Sequence, residues 1–482
     1  MNKGVRTRIA PSPTGVLHIG TARTALINWI FAHQQKGIFV LRIDDTDTQR
    51  STGEFEDSIR SGLEQLGLTW DEEYRQSTRS AIYQKYLEQL FESGEIFYCP
   101  HASQEGEQGV PHVCSERNTK CSTGILRFRN NTKDPISFSD IIRGDVQVDP
   151  KTLGDFSVAR SLTHPLFIFA TTIDDEDLHI THVIRGEDHL SNVPKQILIQ
   201  RALGFTEPIW AHMPLILGKD KSKLSKRHGA TALDEYITRG YLPSGIINFL
   251  ALLGWHPTDD KEIFTAEELF KEFSLERMQK GGAIYDIEKL TWINKQHIVN
   301  TPDEELVHLV APLLVKNELL LQEFATTQDP PAYGGMHPVV LYKNRNGDVV
   351  SEQTLIEIIR VEKSRIGTLG DLSIHASYFF QLPDFDAELL LWKGKQEATD
   401  AHDKLRKVYS LVEKISDDEF NSSNLNEMIM ELANTEGRGD TLWPLRVALS
   451  GQKASAGPIE ILSILGKNEG LSRIAHAIEL LK

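Results

Sequence analysis

The first hundred residues alternate between strand-like and helix-like patterns, and this alternation restricts the possible folds more than any other feature. Val5 to Ala10 predicts a strand, and Ile19 to Gln35 predicts a helix with its apolar side chains on one face. A second strand is predicted from Gly37 to Ile43, and amphipathic helices follow at Glu54 to Leu66 and at Ser80 to Ser93. Because such alternation is typical of parallel βαβ units, we expect an α/β protein built on a parallel sheet.

The later parts of the chain follow other patterns. From about Phe97 to Gly124 the sequence is irregular and rich in Gly, His and Cys, and short segments typical of antiparallel strands come next. The strand and helix alternation returns at residues 179–204. Beyond Leu233 nearly all patterns are helical, and the Pro- and Gly-rich segment 328–338 is the best linker candidate. The sequence therefore predicts an insertion in the α/β part and a second half made of helices.

Composition excludes several classes of protein. The chain has 482 residues, of which 25% are charged and 40% hydrophobic, as in a soluble globular protein of about three domains. Asp and Glu (68) outnumber Lys and Arg (52), so the net charge of −16 repels polyanions and any nucleic-acid contact must be local. Three cysteines cannot form a disulfide framework, which favours a reducing, cytoplasmic compartment. No apolar run approaches the roughly 20 residues that a membrane span needs, so we expect no membrane partner.

The turn after the first predicted strand has the chemistry of a phosphate site. It reads PSPTGVLHIGT from residue 11 to residue 21. Gly15 and Gly20 allow close approach of the backbone, and the start of the following helix favours an anion. His18 adds a donor there. An ordinary loop remains the alternative at this point.

A basic loop, GKDKSKLSKR, lies far downstream at residues 218–227 in an otherwise acidic chain. A solvated loop or a localisation-like patch would explain such a run equally simply. Its position after the strand-like MPLILG and its small residues instead favour a mobile loop that grips phosphate.

Together the two segments resemble the HIGH-type and KMSKS-type signatures of class I aminoacyl-tRNA synthetases. Thr21 stands in the place of the final His of the first signature. Several further segments resemble glutamyl-tRNA synthetases, in that family's order and over essentially the whole chain: RIDDTD, ITHVIRGEDHLSNVPKQILI, HMPLILGKDKSKLSKR, YDIEKLTWIN and LWPLRVALSG.

The resemblance implies a Rossmann-type parallel-sheet catalytic domain with an α+β insertion, followed by an all-α C-terminal half. The catalytic domain would comprise residues 1–95 and 175–235, and the acceptor-binding insertion residues 96–174. A helical stem-contact domain at 236–325 and an all-α anticodon-binding domain at 326–482 would complete the chain.

The resemblance also implies a reaction. ATP would activate L-glutamate to glutamyl-adenylate, and the glutamyl group would pass to the 3′-terminal adenosine of glutamate tRNA, releasing AMP and diphosphate. Mg²⁺ would accompany ATP, and the enzyme would act as a cytoplasmic monomer. Two alternatives remain open: a non-discriminating enzyme that also charges glutamine tRNA, and a catalytically weakened paralogue that only binds tRNA.

The signature residues receive roles from the same resemblance. His18, Lys223 and Lys226 are expected to be catalytic, because phosphoryl transfer needs positioning and charge neutralisation. The residues expected to bind ATP are Gly15, His18, Gly20, Thr21 and Lys226.

Glutamate binding needs cations for its carboxylates and an anion for its ammonium. By resemblance the residues that would bind it are Arg8, Ala10, Ser12, Asp44, Phe167 and Arg185. Two of them depart from the family: Asp44 stands where Glu is usual, and Phe167 stands where Tyr is usual. Both changes affect the expected geometry of the pocket, and surface ion pairing is the alternative role for the two arginines.

Five metal-binding side chains occur within 23 residues: Cys99, His101, His112, Cys114 and Cys121. Their C-x-H and H-x-C spacings can share one tetrahedral ion, and zinc is the expected metal. The expected ligands are Cys99, His101, Cys114 and Cys121, in a structural role. An incidental cluster of partly buried thiols is the alternative.

The helical half offers candidates for tRNA contact that sequence alone does not distinguish. Exposed arginines can stack on unpaired bases of an anticodon. The candidates are Arg360, Arg365, Arg438 and Arg446.

Overall fold

The computed structural model describes residues 4–46, 50–101, 111–117, 121–225, 232–328, 336–394 and 397–482. The chain forms two compact units. Unit 1 comprises Met1–Ile237 and Pro243–Ile293, and unit 2 comprises Thr238–Leu242 and Asn294–Lys482. The parallel-sheet fold and the mainly helical C-terminal half agree with the sequence-based prediction, whereas its four-domain division stays a prediction.

Unit 1 contains thirteen strands among the residues described. They are β1 (Arg6–Ile9), β2 (Ile38–Ile43), β3 (Glu72–Arg75), β4 (Ile96–Cys99), β5 (Ile125–Phe128), β6 (Ile136–Asp140), β7 (Gly144–Val148), β8 (Phe156–Ser161), β9 (His164–Pro165), β10 (His182–Gly186), β11 (Ile209–Met213), β12 (Ile216–Leu217) and β13 (Ala283–Ile284).

The helices of this part of the chain alternate with the parallel strands. They are α1 (Ile19–Gln34), α2 (Gly53–Gln65), α3 (Ser80–Glu92), α4 (Phe167–Asp177), α5 (Val193–Leu203), α6 (Leu233–Thr238), α7 (Pro243–Leu252), α8 (Ala266–Glu272) and α9 (Ile287–Asn300). Helix α1 forms where predicted because Leu26, Ile27 and Ile30 are all buried and His18 caps its first turn.

Parallel strands form the centre of unit 1. Strands β1, β2 and β3 pair in that order, and β10 pairs with β11, all in parallel. The Thr181 amide donates to the Arg6 carbonyl at 3.0 Å and brings β10 beside β1. Their carboxyl ends therefore lie along one edge of the sheet, where such folds bind ligands.

The insertion contributes two antiparallel pieces. Strands β4, β5, β8 and β9 form a four-stranded sheet. The hairpin of β6 and β7 instead joins the central sheet, because β6 pairs in parallel with β11 through Asp140 and Trp210. Part of the insertion is thus built into the edge of the central sheet.

Unit 2 is mostly helical around one apolar core. Its helices after α9 are α10 (Asp303–Lys316), α11 (Glu352–Glu362), α12 (Leu372–His375), α13 (Ser377–Phe380), α14 (Ala398–Lys414), α15 (Ser422–Glu436), α16 (Arg438–Ser450), α17 (Pro458–Leu465) and α18 (Lys467–Leu480).

A small sheet that the sequence analysis did not predict also lies in unit 2. Strands β14 (Leu321–Gln328), β15 (Met336–Lys343) and β16 (Val349–Val350) pair antiparallel. The predicted linker at 328–338 connects the first two strands, and its residues 329–335 lie outside the described part of the chain. Among the helices described, none combines the length and the apolar character needed to cross a membrane.

Candidate active site and metal centre

The start of α1 carries the predicted phosphate turn. His18 is the N-cap residue, and its Nδ1 accepts from the Thr21 amide at 3.4 Å. A neutral ring that accepts at Nδ1 carries its proton on Nε2, which lies 3.2 Å from the Thr21 hydroxyl. Partial desolvation and the charge of Lys223 lower the pKa of His18, so the ring is neutral at pH 7. A Cβ on Gly20 would lie 3.2 Å from this ring, so Gly20 leaves it room to fold over the helix end.

The structure brings the two signature segments together. After the basic loop the chain pairs with the first signature: the Leu233 amide donates to the Leu17 carbonyl at 2.9 Å, and Ala232 bridges to His18. The first part of the loop itself is a tight turn, closed by a hydrogen bond from the Leu224 amide to the Ile216 carbonyl. The chain that leaves the loop is therefore held at the end of α1 that favours anions, and the charge of Lys223 acts on His18 there.

Only part of the basic loop is described. The Lys223 Nζ lies 2.7 Å from Asp188 Oδ2, and both side chains are largely exposed. Lys226, expected to be catalytic, lies outside the described residues.

A buried network of charges lies at the ends of β1 and β2. Arg8 donates from Nε and Nη2 to the two oxygens of Asp175, at 3.1 and 3.3 Å. Arg42 donates from Nη1 to Asp175 at 2.9 Å. Burial opposes ionisation of Asp175, but the two arginines outweigh it and hold its pKa below the usual range. Arg8 is therefore a fixed, buried cation rather than a surface ion pair.

Arg185, at the end of β10, is also buried, at 6% exposure. Its Nε donates to His212 Nε2 at 3.1 Å, and its Nη2 donates to Gln196 Oε1 at 2.6 Å. Its Nη1 is buried and has no hydrogen-bond partner among the residues described. Burial, aided by the charge of Arg8, lowers the pKa of Arg185 to about 9, so it remains cationic at neutral pH.

The other predicted pocket residues lie near these strand ends. Asp44 follows β2 and is 4% exposed, and Arg42 binds both of its oxygens, at 2.7 and 3.1 Å. Burial raises the pKa of Asp44 to about 6 against the opposing effect of Arg42. Phe167 begins α4, is 41% exposed and lies 5.5 Å from the His189 ring. Ala10 and Ser12 follow β1, and Ser12 is exposed.

A second cluster lies in the insertion, at the end of β4 and in the segment that follows. The potential ligand atoms of Cys99, His101, His112 and Cys114 all lie within 4.8 Å of one another. Cys99 Sγ is 3.4 Å from His112 Nε2, and His101 Nδ1 is 3.8 Å from each of the two sulfurs. The Sγ of Cys121 instead donates to the Thr123 carbonyl at 3.1 Å. The fourth member of this cluster is therefore His112 and not the expected Cys121.

The geometry of this cluster fits a tetrahedral ion. With zinc to sulfur at about 2.3 Å and zinc to nitrogen at about 2.0 Å, neighbouring ligand atoms lie roughly 3.3 to 3.8 Å apart, and the three distances given above fall in this range. Surrounding groups also fix the cluster: Asp155 accepts from the Cys114 amide at 3.0 Å, and Arg127 donates to the His101 carbonyl at 3.3 Å.

The four candidate arginines of unit 2 have distinct partners. Arg360 pairs with Asp303 at 3.0 Å, and Arg365 pairs with the buried Glu362 at 3.4 Å. The exposed Arg438 donates to Asn434 at 2.8 Å, and Arg446 donates to the Ser455 carbonyl at 3.3 Å. These contacts leave the choice among them open.

Sequence reasoning did not single out several residues that hold the site together. Asp175, which is itself held by Arg42, fixes Arg8, while Gln196 and His212 fix Arg185. The sequence did contain a sign of the role of Asp175. Two adjacent aspartates follow the apolar FIFATTI segment, and carboxylates buried with such a segment need cationic partners. For His212 and Gln196 the sequence offers no comparable signal.

Comparisons with known proteins cover both units. The family model for the catalytic domain of class I tRNA synthetases (E and Q) matches residues 4–292, and one for an anticodon binding domain matches residues 308–478. A glutamate–tRNA ligase of Thermodesulfovibrio yellowstonii is 38% identical, with 98% of this chain and 99% of that protein covered. One of Carboxydothermus hydrogenoformans is 37% identical, with 98% and 99% covered. A similar fold is found in the crystal structure of a glutamate tRNA ligase from Elizabethkingia meningosepticum in complex with its amino acid. The TM-score is 0.84 and the sequence identity 30%, and the match covers 99% of this chain and 100% of that one.

Proposed function

This chain belongs to the class I tRNA synthetases of the glutamate and glutamine type, and we propose that it is a glutamate–tRNA ligase. It activates L-glutamate with ATP to glutamyl-adenylate and transfers the glutamyl group to the 3′-terminal adenosine of glutamate tRNA, releasing AMP and diphosphate. It acts in the cytoplasm as a monomer. The observation that carries this assignment is Arg185: its Nε and Nη2 donate to neutral acceptors, and its buried Nη1 has no hydrogen-bond partner among the described residues, so a planar anion would satisfy it.

Glutamate binds between the ends of β1, β2 and β10. Arg185 uses Nη1 for one carboxylate, and Arg8 supports it as a second buried cation. Asp44 receives the ammonium, although it must share its oxygens with Arg42. Ala10, Ser12 and Phe167 line the pocket, and the ring of Phe167 supplies an apolar wall without a hydroxyl.

ATP binds at the start of α1. Gly15 and Gly20 allow its phosphates close to the backbone, and His18 donates from Nε2 to a phosphate oxygen, assisted by Thr21. Lys223 and Lys226 come from the basic loop and neutralise charge on the diphosphate side. Mg²⁺, held mainly by phosphate oxygens, supplies further neutralisation.

Cys99, His101, His112 and Cys114 hold one zinc ion. Four protein ligands leave no open coordination position, so the ion stabilises the insertion and takes no part in the reaction. The support for this assignment is that the four ligand atoms lie within 4.8 Å of one another and that three of their separations, at 3.4, 3.8 and 3.8 Å, are those expected around one tetrahedral ion.

The test is aminoacylation with radiolabelled glutamate and Mg-ATP, run in parallel on purified glutamate tRNA and glutamine tRNA. Charging of glutamate tRNA alone supports a discriminating ligase, and charging of both supports the non-discriminating kind. Charging of neither, with tRNA still bound, overturns the proposal and indicates a tRNA-binding paralogue.

Variants connect the activity to the site. Arg185→Gln should lower kcat/KM for glutamate by about 100-fold, because it removes a charge-assisted hydrogen bond and leaves a buried site unpaired. Arg201→Gln is the matched control, since Arg201 is half-exposed and its side chain pairs with Glu207 alone among the residues described. Equal activity of the two variants would contradict the assignment of Arg185.

A further inference from the structure

A chain of three buried side chains runs from the insertion hairpin to Arg185. Asp140, the last residue of β6, has its Oδ2 2.6 Å from His212 Nδ1. His212, on β11, has its Nε2 3.1 Å from Arg185 Nε. The side chains of Asp140 and His212 are fully buried.

The chemistry of arginine determines which nitrogen of His212 carries the proton. A guanidinium nitrogen donates and does not accept, so His212 Nε2 must present its lone pair to Arg185. The proton of the neutral ring therefore sits on Nδ1, where it is donated to Asp140. Burial lowers the pKa of His212 and outweighs the opposing effect of Asp140, which keeps the ring neutral.

Asp140 itself is held rigidly, and each of its oxygens has a separate task. Oδ1 accepts from the amides of Ile142, Arg143 and His212, at 2.9, 2.8 and 3.2 Å. Oδ2 accepts from the His212 ring. The first set of contacts shapes the turn of the hairpin and joins it to β11, and the second sets the tautomer of His212.

We propose that Asp140 and His212 are positioning residues for the glutamate pocket: Asp140 selects the His212 tautomer that accepts from Arg185 and so aims Arg185 Nη1 at the substrate carboxylate. The insertion thus contributes to amino-acid binding through β6. This inference rests on the proposed function, because it takes glutamate as the ligand of Arg185.

Asp140→Asn separates this role from support of the turn. The amide oxygen of Asn can keep the three backbone hydrogen bonds, while its NH₂ group faces His212 Nδ1 and converts that nitrogen to an acceptor. The ring proton then moves to Nε2, where it opposes the Arg185 Nε–H, donor against donor. The fold is preserved, but the orientation of Arg185 is lost.

The experiment measures aminoacylation of glutamate tRNA while glutamate and ATP are varied separately. For Asp140→Asn we expect the KM for glutamate to rise about 10-fold, with the KM for ATP unchanged. Asp145→Asn, in the same hairpin and bonded only to Ser139 among the described contacts, is the matched control and should behave as wild type. An unchanged KM for glutamate, or equal rises for both substrates, overturns the inference.

A double variant tests whether the effect passes through His212. In His212→Gln the amide oxygen can accept from Arg185 Nε without help from Asp140, so adding Asp140→Asn should change the KM for glutamate less than 2-fold. Independent, multiplying effects would overturn the inference.

The tautomer can also be read without activity. The ¹⁵N shifts of His212 in labelled protein should show the proton on Nδ1 in wild type and on Nε2 in Asp140→Asn, and the same tautomer in both overturns the inference. If wild type charges no tRNA, the proposed function fails. The ¹⁵N measurement still shows whether Asp140 sets the tautomer of His212.

Discussion

The buried arginines of the candidate pocket differ in the charge of their hydrogen-bond partners. Arg8 and Arg42 are held by carboxylates, whereas Arg185 is held by the neutral acceptors of His212 and Gln196. An arginine already neutralised by a carboxylate has less attraction left for a substrate anion. Arg185 is therefore the principal anion-binding group. Because it is buried away from water, pairing with the substrate carboxylate is more favourable for it.

Asp44 makes the proposed binding of glutamate sensitive to pH. Only the ionised carboxylate can hold an ammonium, and burial raises the pKa of Asp44 to about 6. As pH falls through about 6, the neutral form becomes dominant. The KM for glutamate should then rise, by about 10-fold per pH unit below this pKa. Steady-state aminoacylation between pH 5 and pH 8 measures this.

The control for this prediction is Asp44→Asn, which should show a high KM for glutamate that no longer depends on pH in this range. Asp134→Asn, at an exposed position in the insertion, should keep the wild-type profile. A wild-type KM that stays constant from pH 8 to pH 5 would contradict the role of Asp44.

At the scale of elements, the zinc cluster depends on how the end of β4 and the following segment meet. His112 and not Cys121 completes the set of four, so metal content distinguishes the two ligands. We expect wild type to hold a single equivalent of zinc, His112→Ala to lose it and Cys121→Ser to keep it. Plasma mass spectrometry of the purified proteins measures this. If His112→Ala keeps its zinc and Cys121→Ser loses it, the ligand set expected from the sequence is supported instead.

In unit 2, Tyr378 joins three elements. From α13 its hydroxyl donates to Glu362 of α11 at 2.5 Å and accepts from the Ala456 amide, in the turn before α17, at 3.3 Å. All three residues are buried. Tyr378→Phe should lower the free energy of unfolding by about 1 to 3 kcal/mol, because it leaves a buried carboxylate and an amide without this partner.

Urea denaturation measures the effect of Tyr378→Phe. The matched control is Tyr409→Phe in α14, whose hydroxyl has no hydrogen bond among the described residues and whose loss should cost little. A similar loss of stability in both variants would show that the hydroxyl of Tyr378 adds nothing specific.

The sequence predicted those elements whose pattern is local. Strand β1 and helix α1 lie within two residues of their predicted bounds, because period and capping are written in neighbouring residues. The hairpin of β14 and β15 was not predicted: Gln, Glu and Thr interrupt apolar alternation in Leu321–Gln328, and the Pro- and Gly-rich connection resembled a linker. The spacing of the five possible ligands predicted that a cluster forms. It did not predict that His112 belongs to it, because the fold of the insertion determines which four side chains meet.

At the scale of the whole molecule, two units with separate cores carry different parts of the proposed function. The catalytic family model lies almost entirely within unit 1, and the anticodon-binding one lies within unit 2. The residues that fix Arg8 and Arg185 all belong to unit 1, so the glutamate pocket is assembled from one core. Residues of this pocket come from segments up to 204 positions apart, from Arg8 to His212, and their proximity is a property of the fold rather than of any motif.

The net charge of −16 opposes long-range attraction of tRNA and leads to the final prediction. Each phosphate neutralised by Lys or Arg contributes about −0.7 to −0.9 to the slope of log K against log salt. If about four phosphates are contacted, the slope for glutamate tRNA between 50 and 300 mM KCl should lie between about −2.8 and −3.6. Fluorescence titration of labelled tRNA measures it.

Arg438→Gln gives this prediction a residue-level control. Arg438 is exposed, so if it binds a phosphate its loss should make the slope shallower by about 1 and weaken binding of all tRNAs alike. If it stacks on an anticodon base instead, the slope stays unchanged and glutamate tRNA alone loses affinity. A wild-type slope near −10 would mean that tRNA binding rests on a dense set of phosphate contacts, and the argument from net charge would then be wrong.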